Sequence, residues 1–265
     1  MEKIQMQGVP ETMLQTLYAR AAYSKKRKAK FCDDKAVEIV SHMDYDFSLA
    51  EKDAMMSKGV IARTILLDRM VGDFIGEDPK GTVINIACGL DTRVYRLKTL
   101  PSVRWYNLDL PETIEVRRLF LTENGRISMI AKSAMDESWA AEIEEWSGRT
   151  LVIVEGLVMY LFQEDVKQIL SIISNRFRRV EVIMETMNPW VIKNMKEKSI
   201  EATKARFTWG IRSGKELERI SPEYIWVRDV SLVEGMKAIM PVYHLFGWIP
   251  AVKNISNKLV VLRKE

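Results

Sequence analysis

One glycine and two carboxylates, each placed where an apolar run ends, are the residues of this sequence best suited to chemistry. The run "TVINIAC" (82–88) reaches Gly89 and breaks at once into Asp91, Thr92 and Arg93. A second run closes on "NLDLPE", which puts Asp109 twenty residues after Gly89, and a third, "VIVEGLVMYL", is interrupted by Glu155. Small residues after a strand (here Ala87, Cys88 and Gly89) let a ligand approach the backbone closely. An acidic residue one strand later is positioned to accept hydrogen bonds from both hydroxyls of a ribose. Asp109 has an alternative role as the loop residue capping the helix that Pro111 begins. The glycine loop lacks the Lys-Ser/Thr tail of a triphosphate cradle. It also lacks the three glycines that a dinucleotide pyrophosphate requires.

Asp91 and Thr92 stand where a pyrophosphate would approach, and a carboxylate there repels it. A nucleoside ligand with no phosphate and a cationic centre fits better, and S-adenosylmethionine is such a ligand, with a sulfonium and an ammonium. Glu155 in an apolar run is costly unless paired or hydrogen-bonded. It either faces that cationic end or forms a salt bridge with a basic residue. The ligand's own carboxylate then needs a cation, for which Arg63 in "VIARTILLD" is the candidate, the alternative being an arginine on a helix surface. On the acceptor side the candidates are Tyr160, five residues after Glu155, Arg206 and Trp209 in "ARFTWGIRSG" (205–214), and His244 in "PVYHLFGW". The 205–214 stretch suits a lid over an aromatic or acidic acceptor. Core packing is the competing reading for Tyr160 and Trp209.

These residues need a scaffold, and the sequence supplies a legible one. Residues 1–78 carry apolar positions at spacings of three and four, as in Met13, Leu14, Leu17 and Ala21, and read as a helical cover. "VIARTILLDRMVGDFIG" ends at Gly76 with Pro79 beyond, a helix stop. After Pro79, β-branched runs at 82–88, 103–110, 127–133, 150–161 and 179–186 alternate with helix-like stretches. That alternation predicts an α/β fold, a mostly parallel doubly wound sheet with helices on both faces. "EYIWVRDVS" and "NKLVVLRKE" predict two strands closing the sheet edge, with a Pro- and aromatic-rich helical segment between them. One domain, 1–265, is the simplest account: cover 1–78, binding core 79–190, lid and closing strands 191–265.

Composition narrows the classes. Forty basic residues face 36 acidic ones, a net charge of +4 that is too even to imply nucleic acid. The run "KKRKAK" (Lys25–Lys30) reads as a solvated face or a phosphate patch. Two cysteines make no disulfide framework and two histidines make no imidazole-rich metal site. No segment approaches about 20 uninterrupted apolar residues. The expectation is a cytoplasmic protein with a small-molecule acceptor, no membrane, no nucleic acid and no metal.

At this point four ordered motifs, "ARTILLDRMV", "NIACGLDTRVYRL", "WYNLDLPETI" and "VIVEGLVMYL", resemble the leucine carboxyl methyltransferase family, in particular its bacterial polyketide O-methyltransferase branch. The likeness runs from about residue 18 to about residue 217. It implies a class I methyltransferase (Rossmann-like) fold and S-adenosylmethionine as methyl donor. It further implies that Arg63 holds the methionine carboxylate, that Gly89 admits the donor and that Asp109, followed by Leu110, holds the ribose. Ser133, Ala134 and Met135 would line the adenine, with Glu155 and Gly156 near the methionine amino group. The pattern departs from the family at Ala87, where a glycine is expected, at Asn107 and at Tyr23. A protein C-terminal carboxyl methyltransferase and a non-catalytic donor-binding module remain alternatives to a small-molecule O-methyltransferase.

Overall fold

The structure is a computed structural model that describes residues 2–3, 8–97, 103–144, 148–194 and 205–265. Seven strands form its main sheet: β1 (Thr82–Ile86), β2 (Arg104–Asp109), β3 (Ile127–Ala131), β4 (Thr150–Val154), β5 (Val180–Thr186), β6 (Ile225–Ser231) and β7 (Lys258–Lys264). Their order is β3-β2-β1-β4-β5-β7-β6. The first five run parallel, and β7 joins β5 antiparallel with β6 antiparallel beyond it. This is the mostly parallel, doubly wound α/β sheet with two closing strands that the run spacing and the two C-terminal strand signals predict, in the class I methyltransferase form that the family resemblance implies.

Burial on both faces explains the sequence texture. β1 and β4 are buried along their whole length, and both read as continuous apolar runs rather than alternating ones. On one face lies the long helix α4 (Ala54–Glu77), whose Leu66, Leu67, Met70, Val71 and Phe74 pack against Val83, Leu151 and Ile153. Asp53 starts that helix, its side chain accepting from the Met56 amide, so it begins six residues before the apolar pattern at Val60. On the opposite face α5 (Gln163–Arg176) packs Val166, Ile169, Leu170 and Ile173 against Val152, Val154 and Val182.

The cover is helical, as its spacing predicts. α1 (Thr12–Ser24), α2 (Asp34–His42) and the short α3 (Ser48–Lys52) precede α4. Met13, Leu14 and Leu17 of α1 share a cluster with Cys88 and Leu90, which brings this helix over the loop after β1. Among the described residues, no helix is long and apolar enough to cross a membrane.

Topology then sets the site. The order reverses between β1 and β4, and ligands of such sheets bind outside the carboxyl ends at that point. Register sharpens this: Ile86 is level with Leu108 on one side and with Val154 on the other, and Val154 is level with Met184. The next residues of four strands (Ala87, Asp109, Glu155 and Glu185) therefore emerge along one edge.

Candidate active site

Along that edge lies a cavity of about 270 Å³. All eleven residues assigned to the donor from sequence line it: Arg63, Ala87, Cys88, Gly89, Asp109, Leu110, Ser133, Ala134, Met135, Glu155 and Gly156. Tyr160 lines it too. The sequence reading missed the contribution of α1, which supplies Thr12, Met13, Thr16 and Arg20 to the wall. Tyr23 does not reach the cavity; its hydroxyl instead accepts from the Lys30 amide at 3.0 Å. Asn107 is buried within β2, where its Oδ1 accepts from the Trp105 indole.

The loop after β1 turns sharply. Ala87 has φ +52° and Gly89 φ +47°, and Ala87 is the only non-glycine in the left-handed region among the described residues. A Cβ on Gly89 would lie 2.9 Å from Cβ of Met13, so α1 closes down on the glycine directly. Asp109 holds the turn from the side: its Oδ2 accepts from the Gly89 amide at 2.7 Å, and Oδ1 from the Leu110 amide at 2.8 Å. Burial raises the Asp109 pKa above the usual range, with those two amides, Thr113 and Arg117 pulling the other way.

The opposite end of the cavity is an ion-pair chain. Arg63 Nε lies 2.6 Å from Glu155 Oε1, and Arg63 Nη1 donates to Glu185 Oε2 at 2.7 Å. Arg93 Nη2 takes the other oxygen of Glu155 at 2.9 Å, while its Nε and Nη1 pair with Asp68 and Asp91. Arg96 links Asp68 to Asp33, and Arg20 pairs with Asp33 and donates to the Leu90 carbonyl. Glu155 thus has the salt bridges that one reading of the sequence required, and it still borders the cavity. Burial alone would raise its pKa, but Arg63 and Arg93 together hold it below the ordinary glutamate value. Fully ionised, the chain sets four arginines (20, 63, 93 and 96) against five carboxylates (33, 68, 91, 155 and 185), an excess of one negative charge.

Three residues expected on the acceptor side are not brought to the cavity. Arg206 and His244 are exposed, and Trp209 packs half-buried against the core cluster that includes Val152 and Val154. The reason is local tethering. The Thr208 amide donates to the Met159 carbonyl at 2.7 Å and the Ile211 amide to the Met187 carbonyl at 3.0 Å, which presents Phe207 rather than its neighbours. The Phe207 ring lies 5.3 Å from that of Tyr160. His244 sits on a short helix, Tyr243–Phe246, that has no buried residue.

A model of the leucine carboxyl methyltransferase family matches residues 13–174. The chain belongs to that family. It is 32% identical to the tetracenomycin polyketide synthesis O-methyltransferase TcmP of Streptomyces glaucescens, over 88% of this chain and 87% of that one. It is 29% identical to the S-adenosyl-L-methionine-dependent methyltransferase dpfgK of Gibberella zeae, over 83% and 81%. Among solved structures, a candidate methyltransferase from Thermobifida fusca superposes with a TM-score of 0.60 at 12% identity, over 95% and 94% of the two chains. Magnesium protoporphyrin IX methyltransferase from Synechocystis, solved with bound S-adenosylhomocysteine, gives 0.51 at 9% identity, over 96% and 100%. These two likenesses concern the fold. This methyltransferase is S-adenosylmethionine-dependent.

Its cavity fits that donor on its own terms. The excess negative charge suits a ligand whose sulfonium and ammonium outnumber its one carboxylate. Arg63 Nη2 makes no hydrogen bond to a described residue, which leaves a charged donor for that carboxylate. Gly156, at φ +67°, leaves space that a Cβ would fill 3.7 Å from Arg63 Nη1. Asp109 keeps a second lone pair on each oxygen for ribose hydroxyls. Leu110, Ala134, Met135 and Leu157 give the apolar surface an adenine ring requires.

Proposed function

We propose that this methyltransferase acts on an oxygen, a carboxylate or an acidic phenol, of a small aromatic molecule of polyketide type. One observation carries the reading. A second chamber of about 110 Å³ begins where the donor cavity ends, and the two share Thr12, Thr16, Arg63, Gly156 and Tyr160. Its other walls include Met55, Met56, Met159, Met187 and Phe207. Thioethers and aromatic rings make an adaptable apolar surface suited to flat carbon skeletons. The S. glaucescens relative, whose name ties it to polyketide synthesis, supports the same acceptor class.

The bound donor supplies an electrophilic methyl on a sulfonium. The protein's share is to place the acceptor oxygen in line and to exclude water. An ionised carboxylate needs nothing more, whereas a phenol, with pKa near 10, benefits from a base or from acidification by its own ring system. Neither histidine lines the chamber.

The test is transfer of isotopically labelled methyl from S-adenosylmethionine to a panel of hydroxylated naphthoic and anthraquinone carboxylic acids, beside a peptide ending in leucine. Label is expected on the aromatic compounds. Label confined to the peptide carboxylate would make this a protein carboxyl methyltransferase. Donor binding with no transfer at all would make it a binding module.

A further inference from the structure

Asp109 and Arg117 approach one glycine of the donor loop from opposite sides, and neither belongs to the ion-pair chain at the other end of the cavity. Asp109 accepts from the Gly89 amide at 2.7 Å and from the Leu110 amide at 2.8 Å, and it forms no ion pair among the described residues. Arg117 lies on the helix Pro111–Phe120 and is fully buried. Its Nη1 donates to the Gly89 carbonyl at 2.8 Å, while Nε and Nη2 have no hydrogen-bond partner among the described residues. The Tyr95 hydroxyl faces it but donates to the Thr122 carbonyl. A guanidinium held by one carbonyl is costly to bury. A neutral amide would hold that carbonyl without the cost, so the shape of the loop does not by itself explain a charge here.

We propose that Arg117 is a positioning residue for the donor, its charge keeping Asp109 ionised at neutral pH so that both ribose hydroxyls meet an anionic acceptor. This rests on Asp109 as the ribose ligand and holds whichever acceptor the chamber takes. Gly89 is the common anchor. Its amide fixes the carboxylate and its carbonyl fixes the guanidinium, so the two charges are held around a single residue. Asp109 lines the donor cavity and Arg117 does not. Arg117 therefore acts from behind the wall, on the charge of Asp109 and not on the donor itself.

The groups around Asp109 agree with this role. From the loop after β1 come the Cys88 thiol, which burial keeps neutral, and Asp91, which Arg93 already pairs. The helix Pro111–Phe120 contributes Thr113 and Arg117. On the β3 side Ala131 stands level with Asp109, and Lys132 beyond it is engaged by Glu142 and Ser138. Arg20 of α1 is taken by Asp33 and the Leu90 carbonyl. Of these cations Arg117 alone has no carboxylate of its own among the described residues. Burial raises the Asp109 pKa, and Arg117 is among the groups that pull it back. Without that cation the pKa moves further up. A protonated Asp109 turns one oxygen into a donor, and the ribose loses a charge-assisted acceptor. Donor affinity then falls as pH falls through the raised pKa, by up to about tenfold per pH unit.

The experiment is calorimetric titration with S-adenosylhomocysteine between about pH 8.5 and 5.5, each variant read as its affinity relative to wild type at the same pH. That ratio cancels the titration of groups elsewhere in the cavity. For Arg117→Gln, which removes the charge and keeps an amide, the ratio should fall by about tenfold or more from the top of the range to the bottom. Adding Asp109→Asn to that variant should abolish the slope, because no carboxylate is left there to titrate. Arg117→Lys, which keeps the charge, should bind more weakly but with a ratio flat to within about threefold, and it keeps the test decisive if the Gln variant folds poorly. A ratio independent of pH in a folded Gln variant would make Arg117 a prop for the loop and overturn the inference. A slope in the Lys variant, or one that survives Asp109→Asn, overturns it as well. Equal binding of adenosine and 2′,3′-dideoxyadenosine by wild type would overturn the ribose assignment together with it.

Discussion

Gly89 and Asp109 are locked together across twenty residues of chain, the Asp109 Oδ2 accepting a 2.7 Å hydrogen bond from the Gly89 amide. Arg117 Nη1 donates to the Gly89 carbonyl at 2.8 Å from the other side, so both peptide groups flanking the left-handed glycine are held. Asp109 is therefore a structural tie as well as the expected ribose ligand. Asp109→Ala should weaken S-adenosylhomocysteine binding by about 1.5–3 kcal/mol through lost charge-assisted hydrogen bonds. It should also cost about 1–3 kcal/mol of stability, because the Gly89 amide loses its partner. Asp109→Asn, with one acceptor oxygen left, should fall between. Titration calorimetry and thermal unfolding read the two effects separately, and a variant normal in both would remove Asp109 from the site.

The strand ends were legible because parallel buried strands write themselves as apolar runs, and only a few polar residues stand directly at the end of each run. Asp109 and Glu155 stood out that way. Glu185 obeys the same rule, as the carboxylate near the end of "RVEVIMET", yet nothing local separates it from Glu181 in the same strand. Only the sheet order, which puts β5 beside β4, brings Glu185 to Arg63. The pairing of Arg93 with Glu155 spans 62 residues and is invisible for the same reason. The run at 150–161 reads as one strand, but β4 ends at Val154, because Gly156 reverses the chain at φ +67°. A single glycine inside an apolar run was the available signal. Arg206 and Trp209 are not placed by periodicity, since their positions depend on loop tethers to Met159 and Met187, and His244 sits on a four-residue helix too short to carry a periodic signal.

Ala87 stores strain at the position where the family resemblance implies a glycine. A non-glycine residue in the left-handed region costs roughly 1–2 kcal/mol, and glycine there would give back about 0.5–1 kcal/mol in unfolded-state entropy. Ala87→Gly, at φ +52°, should therefore raise stability by up to about 1 kcal/mol. Thermal unfolding of the ligand-free protein measures this. A lower melting temperature for the glycine variant would mean that the alanine methyl packs usefully against the donor wall.

Arg63 carries part of the fold as well as facing the donor. An arginine whose one task was to hold the donor's carboxylate could be replaced with little loss of stability, but Arg63 also pairs with Glu155 and Glu185. Arg63→Ala should cost about 3–5 kcal/mol at neutral pH, the usual penalty for stranding a buried charge. The pH dependence comes from Glu185. Its folded-state pKa is raised, so the folded form binds a proton more readily than the unfolded form and gains stability as pH falls. Loss of Arg63 raises that pKa further, so the deficit against wild type should shrink between roughly pH 7 and the unfolded glutamate value near 4.3. A deficit that stays constant across this window would assign the loss to packing rather than charge. Below the melting temperature, S-adenosylmethionine should bind the variant less well while adenosine, without the methionine tail, binds it like wild type.

Phe207 separates the acceptor chamber from the donor cavity experimentally. It lines the chamber and not the donor cavity, and its ring rests 5.3 Å from that of Tyr160. The backbone that presents it is held by the Thr208 and Ile211 amides, so truncating the side chain leaves the segment in place. Phe207→Ala removes one wall of a chamber of about 110 Å³ and admits a larger ring system. S-adenosylhomocysteine affinity should stay within about twofold of wild type, because no donor contact is lost. The KM for a one- or two-ring acceptor should rise by about tenfold or more as apolar contact is given up, while three-ring acceptors should lose less or gain. Steady-state kinetics on a graded series of hydroxylated aromatic compounds gives both quantities. Equal losses across the series would mean that Phe207 only steadies Tyr160, and a fall in donor affinity would mean that the two compartments act as one.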